Sequence, residues 1–144
     1  MKLSTKCRYG ARAIVEIAKH EQNGPVKRKD IVKNQEISDS YLENILITLK
    51  NGGIINAIRG ANGGYTLHKP ANEITLLEVV NTLEGSLAPV ECIDSPAVCQ
   101  RTDICSTRCV WGRLKKAKED VLKSVTVQQL VDDEEEAYLP DYSI

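Results

Sequence analysis

Four of the five cysteines, Cys92, Cys99, Cys105 and Cys109, fall between residues 92 and 109, separated by six, five and three residues. Thiols gathered in this way serve as cross-links, as ligands of a metal or cluster, or as redox-reactive groups. The odd total, and a start at Met1-Lys2-Leu3-Ser4 with no apolar signal-peptide core, point to a reducing cytoplasmic setting and away from structural disulfides. Structural zinc is usually held by close Cys-x-x-Cys pairs, and this chain has none. A reversible disulfide switch needs only two reactive thiols. An iron–sulfur cluster needs about four ligands, often thiolates on a loop. Spacing alone leaves these chemistries open. An enzyme is not expected, because no Ser/His/Asp set, phosphate loop or paired catalytic carboxylates emerge from the pattern.

The charge distribution says which end of the chain meets an anionic partner. Residues 1–70 hold twelve Lys/Arg against six Asp/Glu, and residues 71–144 hold seven against fourteen, so halves of +6 and −7 make the net −1. A basic N-terminal half fits nucleic acid. No run approaches the roughly 20 apolar residues of a membrane span, so no membrane partner is expected.

The elements that must carry these residues follow from periodicity and punctuation. Ser4 caps a helix to about His20, with Tyr9, Ala13, Ile14, Ile17 and Ala18 inward. Asn23-Gly24-Pro25 breaks it, and a short helix follows near Lys27–Asn34, burying Ile31 and Val32. Ser38 or Ser40 caps a third helix to about Asn51, with Ser40 and Glu43 spaced as a capping box and Gly52-Gly53 as the stop. Two strand-like runs, Ile54–Ile58 and Tyr65–His68, flank Arg59-Gly60-Ala61-Asn62-Gly63 and predict a hairpin ended by Pro70. Thr75 and Glu78 form a second capping box, opening a helix to about Glu84. Residues 85–110 look irregular, and a loop of that length is expected to be functional or held by something. Trp111–Thr126 is helical again, with Trp111, Leu114, Val121, Leu122 and Val125 on one stripe. The acidic run from Asp132 reads as a disordered tail over residues 129–144.

The expected fold is therefore mainly α with a small β-hairpin wing. A winged helix-turn-helix domain (1–70) is followed by a connecting helix (71–84), a cysteine loop (85–110) and a long C-terminal helix (111–128). In the third helix Leu42, Ile45, Leu46 and Leu49 must be core, which leaves Ser40, Glu43, Asn44 and Ile47 opposite, with Tyr41 at the flank. A recognition helix offers its N-terminal residues to base edges in the major groove. Glu43 can accept from a cytosine amino group, Ser40 can meet base or phosphate, and Arg59 suits a phosphate or a narrow minor groove. Each has a plainer reading: Ser38 and Ser40 as caps, Glu43 as a capping-box acid, Tyr41 as a partly buried core residue, and Arg59 as a solvated turn.

Three segments carry a family resemblance: Met1-Lys2-Leu3-Ser4-Thr5-Lys6-Cys7-Arg8-Tyr9-Gly10, Ile37-Ser38-Asp39-Ser40-Tyr41-Leu42-Glu43, and Arg59-Gly60-Ala61-Asn62-Gly63-Gly64-Tyr65-Thr66-Leu67. They resemble the Rrf-type winged helix-turn-helix regulators, closest to the iron–sulfur regulator (IscR) branch. The resemblance covers nearly the whole chain, and the Arg-Gly-x-x-Gly-Gly-Tyr wing is its most specific piece. It implies a homodimer joined through the helix at 111–128 and a double-stranded, palindromic operator. It also implies DNA contacts at Ser38, Ser40, Tyr41, Glu43 and Arg59. Cluster-binding members carry three cysteines that match Cys92, Cys99 and Cys105, which implies an iron–sulfur cofactor, 2Fe-2S by analogy in preference to 4Fe-4S. The fourth ligand departs from the pattern. Where that branch has a histidine, this chain has Arg108, with Cys109 next to it. Where other members recruit an acid near the partner's N-terminus, it has Arg8, beside Cys7. Cys109 is therefore the fourth candidate and Cys7 an alternative, with a packed residue on the first helix as the plainer reading of Cys7. His20 and His68 are expected to be solvated. The competing expectations are a cluster-free thiol switch or zinc-binding regulator, or a winged helix used as a protein-interaction module.

Overall fold

The computed structural model describes residues 1–139. Ser4, in extended conformation, accepts a hydrogen bond on its hydroxyl from the Cys7 amide at 3.0 Å and starts helix α1, Thr5–His20. Its inward face is Cys7, Ala13, Ile14 and Ile17, with Tyr9 and Ala18 half-buried at its edge. Helix α2, Arg28–Gln35, buries Ile31 and ends at Glu36, whose φ of 53° turns the chain sharply toward α3, Asp39–Asn51. Leu42, Ile45, Leu46 and Leu49 are all fully buried, as their spacing requires. Strands β1, Ile55–Ile58, and β2, Gly64–Leu67, pair antiparallel with Ile55 opposite Leu67 and Ile58 opposite Gly64. Thr75 and Glu78 make both bonds of a capping box and open α4, Leu76–Glu84. It packs against α1 so closely that a Cβ on Gly10 would collide with Leu83 Cδ1.

Two expectations along the C-terminal half are corrected. The long helix α5 is Ser106–Lys123, not Trp111–Thr126, so the irregular segment ends before residue 106 and Cys109 is helical. The segment before it is not featureless, because short turns of 3-10 helix form at Glu91–Ile93 and Pro96–Val98. The acidic run is not a disordered tail through residue 138. Thr126 and Gln129 form a capping box that starts α6, Val127–Tyr138. Val127 and Val131 are buried, and Lys19 on α1 pairs with Glu134 at 2.8 Å. Two apolar anchors and that ion pair hold a helix that composition alone assigns to solvent. Residues 140–144 of the expected tail lie outside the described residues. The junction of α5 and α6 returns to the core through Leu76 N–H donating to Val125 O (2.8 Å) and Val127 N–H donating to Ile74 O (2.9 Å).

Helix α5 is unlike the others. None of its residues is buried; it rests on α4 and on the Glu91–Ile93 turn. Val110, Trp111 and Val121 are exposed along a helix about 27 Å long. Among the described residues no helix is long and apolar enough to cross a membrane.

Candidate functional site

The first surface is built by α2, α3 and the hairpin. Ser38 occupies the N-cap position of α3, but its side chain makes no capping bond. The expected Ser40–Glu43 capping box is absent, since Ser40 is the second residue inside the helix. Glu43 pairs elsewhere: Arg28 at the start of α2 reaches across, so that its Nη1 meets Glu43 Oε1 at 2.9 Å and its Nε meets Asp39 Oδ1 at 2.9 Å. Ser38, Ser40, Glu43, Asn44 and Ile47 are exposed together along one side of α3. Tyr41 is half-buried, its ring edge-on to Tyr9 with centroids 6.0 Å apart. Arg59 is exposed at the hairpin tip. The wing is held against the entry to α2 by a paired bridge, with Val26 N–H donating to Tyr65 O at 2.9 Å and Tyr65 N–H to Val26 O at 2.8 Å. Exposed α3 residues and an exposed wing arginine thus sit on one rigid base, the geometry a major-groove helix with a flanking wing requires.

Behind that surface lies a polar clamp that sequence reasoning missed. Glu16 is only 2% exposed, in the middle of the apolar face of α1. Its carboxylate accepts from Asn34 Nδ2 (2.6 Å) and Gln35 Nε2 (2.8 Å) at the end of α2, and pairs with His20 Nε2 at 3.0 Å. His20 is exposed, as expected, and closes the clamp from its solvent side. Arg12 adds a hydrogen bond from Nε to Gln35 Oε1 at 3.0 Å. Burial works to raise the Glu16 pKa, but the Asn34 and Gln35 bonds and the His20 and Lys19 charges outweigh it and hold the carboxyl below its usual range. The available signal was an acid inside the apolar run Ala13-Ile14-Val15-Glu16-Ile17-Ala18.

The second surface is the cysteine segment. All five cysteines are free thiols; Cys99 and Cys109 are exposed and Cys92 and Cys105 half-buried. Cys105 is the N-cap residue of α5, and Cys109 lies four residues on, in the first turns and on the same face. Arg108 Nε donates to the Cys92 carbonyl at 3.2 Å, tying the first cysteine to the start of the helix. The Thr107 hydroxyl and the Arg108 backbone N–H lower the Cys105 pKa. Cys7, by contrast, is 1% exposed on the inward face of α1, where burial and the charge of Glu84 push its thiol to about 11. It occupies the place of a packed core residue. Among the described residues no three metal-binding side chains are gathered into a preformed site. The donor set itself fits a cluster: four soft sulfur donors, none in a disulfide and none fully buried, with two at the positive end of a helix. Residues 92–109 would have to draw inward to use them together.

Comparison with known proteins places the chain in one family. Residues 3–133 match the Rrf2 family, described as iron-dependent transcriptional regulators. Protein rrf2 of Nitratidesulfovibrio vulgaris is 41% identical over 133 residues, covering 92% of this chain and 89% of that protein. The HTH-type transcriptional regulator CymR of Bacillus subtilis is 37% identical over 142 residues, covering 96% and 98%. The solved structure of T. potens IscR superposes with a TM-score of 0.79 at 34% identity, covering 96% of this chain and 92% of that one. CymR is a transcriptional regulator by name, and the IscR structure shares the plan built here by α1–α3 and the hairpin. The chain belongs to the Rrf2 family of winged-helix, DNA-binding transcriptional regulators.

Proposed function

We propose that this regulator works as a homodimer whose DNA affinity is tuned by an iron–sulfur cluster, 2Fe-2S, held by Cys92, Cys99 and Cys105, with Cys109 as fourth ligand. The observation that carries this reading is the placement of the cysteines. Cys105 and Cys109 form the start of α5, Cys92 is bonded to Arg108 within it, and α5 presents the exposed apolar side chains of Val110, Trp111 and Val121. Beside α5 an apolar groove of about 520 Å³, lined by Met1, Leu3, Leu87, Pro89, Val121 and Leu122, offers further surface for a second copy. A bound cluster would supply a charge and a cross-link that change with oxidation or loss. Ordering or releasing residues 92–109 shifts where α5 begins, and so the spacing of the two DNA-binding surfaces that α5 joins.

The DNA contacts in this reading are Ser38, Ser40, Tyr41 and Glu43 from α3, and Arg59 from the wing, on a palindromic operator. Fluorescence anisotropy against a duplex selected from a randomised palindromic library tests it. Affinity falls with salt, and Arg59→Ala weakens binding to every sequence and lowers the salt slope by about one. Wild-type affinity and slope in Arg59→Ala would remove the wing arginine from the interface. A cluster-free thiol switch is the second reading, favoured by the exposure of Cys99 and Cys109 and the lowered pKa of Cys105. It predicts thiol oxidation and no iron.

A further inference from the structure

We propose that Arg28, which lies on α2 outside the set of residues assigned to DNA contact, sets the base preference of α3 by positioning Glu43. This rests on the reading of α3 as the helix that enters the major groove. The guanidinium is held at three points. Nε and Nη2 donate to the two oxygens of Asp39 at 2.9 and 3.1 Å, and Nη1 meets Glu43 Oε1 at 2.9 Å. Asp39 is the first residue of α3 and Glu43 lies one turn on, so Arg28 clips the first turn of α3 to the first turn of α2.

The consequence for recognition follows from charge and geometry. Asp39 and Glu43 put two carboxylates on the end of the helix that faces phosphates, and an unpaired carboxylate there is repelled. Arg28 offsets one of the two charges. It also fixes the Glu43 side chain, which would otherwise sample several rotamers. With Oε1 engaged, Oε2 is left as a single acceptor in a set place, suited to one donor such as a cytosine amino group. The bidentate Asp39 contact orients the guanidinium plane, which a lysine ammonium cannot reproduce. Arg28 is a positioning residue in this account; Glu43 reads the base.

The test is a comparison of base preference, by selection from a randomised duplex library, for wild type, Arg28→Ala, Arg28→Lys, Glu43→Ala and the double alanine variant. Arg28 is partly exposed, so the variants keep the fold, and thermal melting checks this. Arg28→Ala should lose about tenfold in discrimination at the base pair that Glu43→Ala also affects, and at no other. The double variant should match Glu43→Ala alone, and Arg28→Lys should not restore the preference. If Glu43→Ala changes base preference while Arg28→Ala only weakens binding to all sequences, the inference is wrong and Arg28 contacts phosphate. If Glu43→Ala leaves base preference unchanged, base reading by Glu43 fails first and the role of Arg28 falls with it.

Discussion

Glu16→Ala is expected to lower the unfolding free energy by about 1.5–3 kcal/mol, since it removes the charge-assisted hydrogen bonds by which a buried carboxylate ties α1 to the end of α2. Asn34, Gln35 and His20 all lose their acceptor at once. Asn34 and Gln35 end α2, and the left-handed residue Glu36 follows them into α3. The damage therefore reaches the angle between the two helices of the DNA-binding unit, and operator affinity should fall even at temperatures where the protein stays folded. The pH dependence has a definite sign. The folded carboxyl titrates below its ordinary value near 4.5, so its contribution is fully present above that pH and is lost as pH falls through the lower folded value. Urea titrations of wild type and Glu16→Ala at neutral pH and near pH 4 check both points. The gap between the two proteins should narrow in acid. An equal gap at both pH values would mean that the ionised carboxylate is not what stabilises the clamp.

Gly64→Ala should damage the wing more than any other single methyl group placed on the hairpin strands. Gly64 has φ of 153°, and an added Cβ would lie 2.6 Å from the Val26 carbonyl oxygen, a backbone atom that cannot swing away. Val26 and Tyr65 are the bridge that fixes the wing to the start of α2, so relief of the clash means opening that bridge. Strain and overpacking together cost about 2–4 kcal/mol, part of it recovered by letting the hairpin swing outward. Arg59 then loses its position relative to α3. The expected result is a lower melting temperature together with a loss of operator affinity at least as large as that of Arg59→Ala. Unchanged affinity in a folded Gly64→Ala protein would show that the docked wing is not needed for binding.

Strong periodicity and capping chemistry made much of this fold legible in the sequence. Leu42, Ile45, Leu46 and Leu49 defined the buried side of α3, and Thr75 with Glu78 marked the start of α4. Local signals failed where distant partners decide. Ser40 and Glu43 have the spacing of a capping box, yet Arg28, eleven residues before Asp39, takes the carboxylate instead. Helix α6 is dominated by Asp and Glu, and only two of its apolar positions are buried, so composition overrode the Thr126–Gln129 capping signal that marks its start. Cys105 and Cys109 looked like loop residues because cysteine and serine carry no strong helix signal, and the apolar stripe of α5 begins only at Trp111. Glu16 showed only as an acid inside an apolar run, because burial of a charge depends on which amides arrive from another helix. The cysteines were plain as a set, whereas their chemistry depends on whether residues 92–109 can close around a ligand.

Iron and acid-labile sulfide, assayed per chain on protein purified and reconstituted without oxygen, test whether residues 92–109 close around a cluster. About two of each are expected, lost when Cys92, Cys99 or Cys105 is replaced by serine. A colourless protein that holds neither iron nor sulfide after reconstitution would contradict that closure.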